Sequence, residues 1–213
     1  MKFDVHIAAK KNKSPNVQDV LELNKMVSKV RLQKRIRFPK LDLTDNLKIA
    51  VYSDASFANL DDKVNSARGY VMFLHAGNKA CVLAWAMNKI SRVVNSTLES
   101  ESLGFIDAVN HAIWIRGVVS EVLYGLDSDE KLLKIVTLTD SHQLYDNIHS
   151  TRPVENYRLR RDLANIKEML QHGEISEVRW VPNDEQLADP LTKKGADCRK
   201  LDYVLETGEL CYI

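Results

Sequence analysis

The sequence predicts an α/β protein in which an antiparallel meander of three strands is followed by strands that alternate with helices. Three short runs rich in β-branched and aromatic residues follow one another with only short polar loops between them. Further apolar runs then alternate with stretches whose apolar residues recur at helical spacing. Helices between the later strands favour parallel pairing, and the whole pattern is typical of a layered α/β architecture.

The first predicted element is a helix over residues 17–30, because valine and leucine recur there at helical spacing. An extended basic segment follows and is stopped by Pro39. Residues 1–40 hold eleven Lys and Arg against three Asp and Glu, a net charge of +8, so residues 41–213 carry −7 of the total of +1. Basic arms of this kind are typical of contact with polyanions, although a solvated helix face has the same composition.

The body of the chain is predicted to hold five strands and four helices. The strands are the apolar runs at residues 47–52, 69–74, 81–87, 135–139 and 178–181. The helices are predicted at residues 97–124, 141–148, 153–171 and 185–194. Ser96 or Thr97 caps the longest helix, and Gly125 follows its end.

The composition argues against disulfide-rich, zinc-binding and membrane-spanning proteins. The chain has three cysteines, an odd number, at the widely spaced positions Cys81, Cys198 and Cys211, and it has no C-x-x-C motif. We therefore expect a reducing, intracellular compartment. No apolar run approaches the ~20 residues that cross a bilayer, and the N-terminus has no apolar signal core. We therefore expect a cytoplasmic protein without a membrane partner.

Four acidic residues fall at the ends of predicted elements that this topology would bring together. Asp54 ends the first strand of the meander, and Glu101 lies in the first turn of the long helix. Asp140 closes the fourth strand, and Asp189 opens the last helix. Taken singly, each is more often a turn cap or an acid that complements the helix dipole.

Glu99 and Glu101 compete for one role in the long helix, and helix geometry separates them. At about 100° per residue the two side chains face roughly 200° apart, so only one of them faces the fold. The helical steps from Glu101 reach only apolar residues, whereas those from Glu99 reach Asn110 and Gly117. Glu101 is therefore predicted to face the core, and Glu99 to be a solvated or capping acid.

A cluster of three or four carboxylates repels itself unless cations bind it. All-oxygen ligands of this kind suit Mg²⁺ or Mn²⁺, which take their remaining ligands from water and substrate phosphates. Two such ions stabilise both the attacking and the leaving oxygens of an in-line phosphoryl displacement. The predicted chemistry is the hydrolysis of a phosphodiester.

The chain contains five sequence blocks, which are in order YSDASFANL, RGYVMFL, STLESESLGFIDAVNHAIWIRGVV, LTDSHQLYDNI and VRWVPNDEQLADPLTKKG. Together they resemble the ribonuclease H domain of copia-type LTR retrotransposon polyproteins, over about residues 45–213. The tail KLDYVLETGEL is similar to the end of such a polyprotein. More loosely, VLELNKMVSKVR is similar to the segment that joins the reverse transcriptase to its ribonuclease H.

The resemblance implies a ribonuclease H-like fold, a mixed five-stranded sheet of three antiparallel and then two parallel strands with helices on both faces. It also implies endonucleolytic cleavage of the RNA strand of an RNA–DNA hybrid with two Mg²⁺ ions, for which Mn²⁺ is a substitute. On the matching positions Asp54, Glu101 and Asp140 would be the core metal ligands, and Asp189, in the QLAD-x-LTK motif, the fourth. The implied partners are the hybrid and an upstream reverse transcriptase, in the cytoplasm or in virus-like particles.

Two positions depart from the family pattern. The stretch VPNDEQ before Asp189 lacks the histidine that cellular and retroviral ribonucleases H often carry there, which implies altered product release or metal handling. The family's TEAEY block reads LESES, with Leu98 and Ser102 at the Thr and Tyr positions. Packing and hybrid contacts beside Glu101 are therefore expected to differ.

The candidate contacts to the phosphates and sugars of a hybrid are Asn59, His142, Arg158, Arg160 and Arg161. Each has an alternative interpretation, as a turn asparagine, a helix-surface histidine or part of a solvated helix face. Trp85, Trp114 and Trp180 lie in apolar runs and are predicted to be core residues.

The predicted organisation is a basic arm over residues 1–45, a ribonuclease H-like domain over residues 46–194 and a C-terminal extension over residues 195–213. Two other functions stay open. One is a non-catalytic module of the same fold, decayed or host-recruited, that binds nucleic acid. The other is a transposase or integrase, which is disfavoured because those enzymes usually carry their Glu last, whereas Glu101 precedes Asp140.

Overall fold

The structure, a computed structural model, describes residues 16–31, 35–43, 46–57, 66–125 and 132–210. Its strands are β1 (Lys48–Ser56), β2 (Ala67–Ala76), β3 (Lys79–Lys89), β4 (Lys134–Thr139) and β5 (Glu177–Trp180). The helices of the described residues are α1 (Val17–Arg31), α2 (Thr97–Tyr124), α3 (His142–His149), α4 (Tyr157–Gln171), α5 (Asp189–Thr192) and α6 (Arg199–Thr207). A 3₁₀ turn, Asn183–Glu185, precedes α5.

The five strands form one mixed sheet in the order β3-β2-β1-β4-β5. Strands β1, β2 and β3 pair antiparallel, whereas β4 pairs parallel with both β1 and β5. Tyr52 on β1 lies opposite Leu138 on β4. Because parallel strands end at the same edge of a sheet, Asp54 and Asp140, each two residues further along, are brought to one place. The predicted mixed five-stranded sheet, with three antiparallel and then two parallel strands, is confirmed.

Helices cover both faces of the sheet. On one face, helix α2 packs against β1 and β2, and α3 and α4 pack against α2. The buried residues of this side include Ile49, Val51, Met72, Phe105, Ala108, Ala112, Leu144 and Leu163. On the other face, α5 and α6 contribute to a core whose buried residues include Tyr52, Phe73, Val136, Leu191, Leu201 and Val204.

Both ends of α2 lie where the sequence predicts them. At its start, the Ser96 hydroxyl accepts the backbone N–H of Glu99 at 3.1 Å, and the Glu99 carboxylate accepts the N–H of Asn95 at 2.9 Å. These contacts satisfy donors that an uncapped helix leaves free. At its end, Gly125 takes a φ of 89° and donates its N–H to the carbonyl of Glu121 at 2.9 Å.

The helix predicted over residues 185–194 is wrong in its extent, because only Asp189–Thr192 is α-helical. The Gln186 side chain donates to the carbonyl of Ser53 and accepts the N–H of Ala188. Side-chain bonds of this kind compete with a helical backbone. Pro190 then stands at the start of α5, where a missing N–H costs nothing.

Two further helices differ from the prediction. Helix α4 begins at Tyr157 and not at residue 153, because the Asn156 side chain accepts the N–H groups of Arg158 and Leu159 and caps the helix there. Helix α6 was not predicted at all. Its Leu201 and Val204 are buried in the same core as Tyr52, so this part of the chain packs directly on the sheet.

The prediction that the tryptophans are core residues is wrong for two of them. Trp85 is 50% exposed and Trp114 is 66% exposed. Trp85 lies on β3, which is an edge strand, and Trp114 lies on the outer side of α2, between the inward-facing Ala112 and Ile115. Trp180 is half-buried and stacks on His142.

The predicted N-terminal helix is confirmed as α1, and its apolar side chains Val20, Leu23 and Val27 are exposed. Residues 35–43 are neither helix nor strand, and Arg37 donates its N–H to the carbonyl of Leu205 at 2.8 Å. The rest of the predicted arm, residues 1–15, 32–34 and 44–45, lies outside the described residues. Within the described ranges, every helix is too short or too polar to cross a membrane.

Candidate active site

Asp54 lies at the centre of the candidate site and is almost fully buried, with 1% of its surface exposed. Its Oδ2 accepts a hydrogen bond from the Thr192 hydroxyl. Its Oδ1 has no hydrogen-bond partner and lies 3.3 Å from the Lys193 Nζ. A buried carboxylate oxygen without a hydrogen bond is stabilised by a neighbouring cation.

Asp140 and Asp189 converge on Asp54. One carboxylate oxygen from each of the three aspartates lies within 4.8 Å of the others. Asp140 is held from two sides, because its Oδ1 accepts the Gln186 Nε2 at 3.3 Å and its backbone carbonyl accepts the Trp180 Nε1 at 3.0 Å. The three predicted acids therefore share one site at the carboxyl ends of β1 and β4.

Glu101 approaches from the first turns of α2, and 7% of its surface is exposed. Its Oε2 accepts the backbone N–H of Ala55 at 3.2 Å. Gly104, one turn along, allows the helix to lie close to β1, because a Cβ there would stand 3.3 Å from the Ala55 Cβ. Asp54 and Asp140 act electrostatically on its carboxyl group, so Glu101 lies near the aspartates, but it is not one of the three carboxylates within 4.8 Å of one another.

Glu99 caps the helix as predicted, but the prediction that only one of the two glutamates faces the fold is wrong, because both are buried. The surface of Glu99 is fully buried, and its Oε1 lies 3.3 Å from a guanidinium nitrogen of Arg92. The same nitrogen bonds Asp162 on α4 at 2.5 Å. Arg92 thus links the start of α2 to α4 through Glu99 and Asp162, whereas Glu101 lies beside the aspartates.

The cluster is electrostatically unfavourable when it is fully ionised. Burial, together with Asp189 and Asp140, raises the pKa of Asp54 to about 6, although Lys193 opposes the rise. Burial raises the pKa of Glu101 well above its usual value, and Asp54 and Asp140 add to that rise. The pKa of Asp189 is also raised, mainly by burial. Raised carboxyl pKa values together in one cleft are a feature of functional sites.

The residues present fit divalent metal ions. The donors are carboxylate oxygens, the ligand type that Mg²⁺ and Mn²⁺ prefer. The buried Asp54 Oδ1 lacks a hydrogen bond, and the aspartate oxygens are close enough together for a common cation. Such ions would be held by the side chains of Asp54, Asp140 and Asp189, together with that of Glu101.

Three residues that contact the carboxylates were missed by sequence reasoning. They are Gln186, Thr192 and Lys193, which bond Asp140, Asp54 and Asp189 respectively. The sequence carries a signal for Lys193, which stands four residues after its partner Asp189 in QLADPLTK. Positions at that spacing lie beside one another when the chain turns helically.

Gly69 allows α5 to approach the sheet closely. It lies opposite Asp54 on β2, and a Cβ there would stand 2.9 Å from the Thr192 Cγ2 and 3.0 Å from the Leu191 Cβ. A side chain at this position would push away the helix that carries Asp189 and Thr192.

The predicted substrate contacts fall in different places. His142 is exposed at the start of α3 and stacks on Trp180 at 4.1 Å between ring centroids, next to Asp140. Arg158 and Arg161 are exposed on α4, which packs on α2 and α3. The Arg160 guanidinium donates to the carbonyls of Val154 and Glu155. Asn59 lies outside the described residues.

No protein-family model matches the chain. Similar solved structures include the N-terminal RNase H domain of a Mycobacterium tuberculosis protein, fused to maltose-binding protein, which is 16% identical. That match covers 74% of this chain and 96% of the other, with a TM-score of 0.46.

Two other similar structures are RNase H1 proteins. The one from the archaeon Halobacterium salinarum is 20% identical, and the match covers 68% of this chain and 94% of that one, with a TM-score of 0.44. LC11-RNase H1, isolated from compost by a metagenomic approach, was solved in complex with an RNA/DNA hybrid. It is 16% identical, with the same coverage of 68% and 94% and a TM-score of 0.48. At these identities the likeness concerns the fold alone.

Proposed function

We propose that this chain is a metal-dependent ribonuclease H that cuts the RNA strand of RNA–DNA hybrids. The observation that carries the proposal is the convergence of Asp54, Asp140 and Asp189 within 4.8 Å, with Glu101 facing them. The substrate class comes from the five sequence blocks that resemble copia-type ribonuclease H domains. The same resemblance supports reverse transcription of a retrotransposon as the setting and an upstream reverse transcriptase as a partner.

The residues around the carboxylates would hold them in position for this chemistry. When bound, two divalent ions would activate a water molecule and stabilise the departing 3′ oxygen. The Thr192 hydroxyl fixes Asp54, the Ala55 N–H fixes Glu101, and Gln186 fixes Asp140. Because these partners are themselves buried, the carboxylates are already held in place and need little rearrangement before catalysis.

His142 is a proposed substrate contact beside the carboxylates. It stands two residues after Asp140, and the stack on Trp180 holds its ring while leaving it exposed. Arg158 and Arg161 are proposed to contact phosphates further along the hybrid. Restriction of cleavage to RNA would follow from contacts to the 2′-hydroxyl, which DNA lacks.

Hydrolysis of an end-labelled RNA–DNA hybrid with Mg²⁺ tests the proposal. The wild-type chain is expected to cut the RNA strand and to leave a DNA duplex of the same sequence intact. Asp140→Asn, which keeps the size of the side chain, is expected to be inactive and folded by circular dichroism. Equal activity of the two proteins, or activity in neither, would contradict the proposal. Hybrid binding without cleavage would support the non-catalytic alternative.

Deletion of residues 1–34 is expected to weaken hybrid binding, because this stretch holds eight Lys and Arg against three Asp and Glu. We expect a loss of about tenfold at low salt and a shallower dependence of affinity on salt concentration. Binding is measured in the Asp140→Asn background, so that the hybrid is not cut.

The deletion stops before residue 35 because the next residues pack on the body. The carbonyl of Pro39 accepts the Cys81 thiol at 3.3 Å, and a Cβ on Gly208 would stand 2.6 Å from the Pro39 ring. An unchanged melting temperature is the control for folding. A salt dependence identical to that of the full chain would mean that the arm does not contact the hybrid.

A further inference from the structure

Lys193 is the cation that the structure places in the carboxylate cluster. Its Nζ lies 2.7 Å from the Asp189 Oδ1 and 3.3 Å from the Asp54 Oδ1. Its backbone is fixed, because its N–H donates to the carbonyl of Asp189 at 3.0 Å and closes helix α5. The ammonium group therefore bridges two of the proposed metal ligands.

The two oxygens of Asp54 are used differently. Oδ2 accepts the Thr192 hydroxyl, whereas Oδ1 has no hydrogen bond and faces the Lys193 ammonium. Because Oδ2 is already hydrogen-bonded, a divalent ion bound by Asp54 would take Oδ1, the oxygen that faces this ammonium. An ammonium group and a divalent ion cannot both contact that oxygen without strong repulsion between them.

We propose that Lys193 is a built-in competitor of the divalent metal ion, occupying Asp54 and Asp189 in the metal-free protein and leaving Asp54 when the metal binds. This inference rests on the proposed function, because it concerns the same carboxylates. The lysine is suited to both states. Its side chain is 38% exposed and has a flexible stem, so the ammonium can move into solvent while the backbone stays in place.

The competition has two measurable consequences. Metal binding must displace the ammonium, so its removal strengthens metal binding. In the absence of metal, the ammonium offsets the repulsion between Asp54 and Asp189, so its removal lowers the stability of the metal-free protein.

Calorimetric titration of the full chain with Mn²⁺ tests the inference. Lys193→Met keeps the length of the side chain and removes its charge, and it is expected to bind Mn²⁺ about tenfold more tightly than the wild type. Its melting temperature in EDTA is expected to be lower than that of the wild type. Lys193→Gln provides a second, polar replacement and is expected to shift both quantities in the same direction.

Lys194→Met is the matched control, because this neighbouring lysine is exposed and its replacement removes the same charge. We expect a change in Mn²⁺ affinity of less than about twofold for this variant. Equal tightening by both substitutions would overturn the inference, since the effect would then be one of overall charge. Unchanged or weaker Mn²⁺ binding by Lys193→Met would also overturn it.

Asp54→Asn separates failure of the inference from failure of the proposed function. If the wild type binds Mn²⁺ and Asp54→Asn does not, the proposed metal site is supported. The Mn²⁺ affinity of Lys193→Met then tests the inference by itself. If neither the wild type nor Lys193→Met binds Mn²⁺, this result contradicts both the proposed metal site and the inference.

Discussion

Replacement of Glu101 by Gln is expected to lower the rate of hybrid cleavage by about a thousandfold, whereas Glu99→Gln leaves most of the activity. Glu101 faces the aspartate cluster, and its Oε2 is fixed by the N–H of Ala55. An amide of the same shape keeps the fold but loses the charge that a divalent ion needs, which is worth several kcal/mol of transition-state stabilisation. Single-turnover cleavage of a labelled hybrid measures the effect.

Glu99→Gln is the matched control, two residues away in the same helix. Its side chain caps α2 through the N–H of Asn95 and pairs with Arg92, and it is not part of the carboxylate cluster. The amide oxygen can still accept the N–H, and Arg92 keeps its bond to Asp162. We expect less than about a twofold loss of rate and a modest loss of stability. Loss of cleavage in Glu99→Gln with retention in Glu101→Gln would contradict the assignment.

In the metal-free protein, the contribution of Asp54 to the stability is expected to be lost as the pH rises from about 4 to 7. Burial raises the pKa of Asp54 from 3.8 to about 6, so between these values the folded state binds more protons than the unfolded state. The contribution of Asp54 to the free energy of unfolding is therefore fully present below pH 4, and it is lost as the pH rises through 6. A shift of this size corresponds to roughly 3 kcal/mol of unfolding free energy. Glu101, whose pKa is raised for the same reason, adds to the loss.

Urea unfolding at several pH values in EDTA measures this loss, and Asp54→Asn is its control. The difference between the wild type and the variant isolates the cluster, because groups such as His75, whose pKa is lowered by burial, contribute equally to both. We expect the variant to be more stable than the wild type at pH 7 and similar at pH 4. Addition of Mg²⁺ at pH 7 should restore stability only to the wild type. A constant difference between the two proteins across the pH range would argue against a strained cluster.

Much of the site could be predicted from the sequence because it depends on topology. Asp54 and Asp140 end strands whose parallel pairing brings them together, and this follows from the order of strands and helices alone. Glu101 was separated from Glu99 by the angle between successive residues of a helix. The positions of these acids can be predicted without knowledge of side-chain contacts.

The features that were missed depend on contacts distant in sequence. Gln186 bonds Ser53 and Asp140 where a helical turn was predicted, and no pattern in the neighbouring sequence predicts these bonds. Helix α6 has apolar residues at helical spacing, but a helix of nine residues is marginal on its own, and it is stabilised by burial in the core that contains Tyr52. The burial of Glu99 depends on Arg92, in the loop that leads into α2, and the distant contact is the bond that Arg92 makes to Asp162 of α4. Trp114 shows the converse, because an apolar run in the sequence does not say which way a side chain points.

Anomalous X-ray diffraction from crystals soaked in Mn²⁺ tests the carboxylate site most directly. We predict a manganese peak in direct contact with Asp54 and with at least one of Asp140, Asp189 and Glu101, and a Lys193 ammonium that has moved away from Asp54. Crystals of Asp54→Asn treated in the same way should lack that peak. Absence of manganese from the cluster of the wild-type protein, with the Lys193 ammonium still between Asp54 and Asp189, would contradict the proposed metal-dependent nuclease.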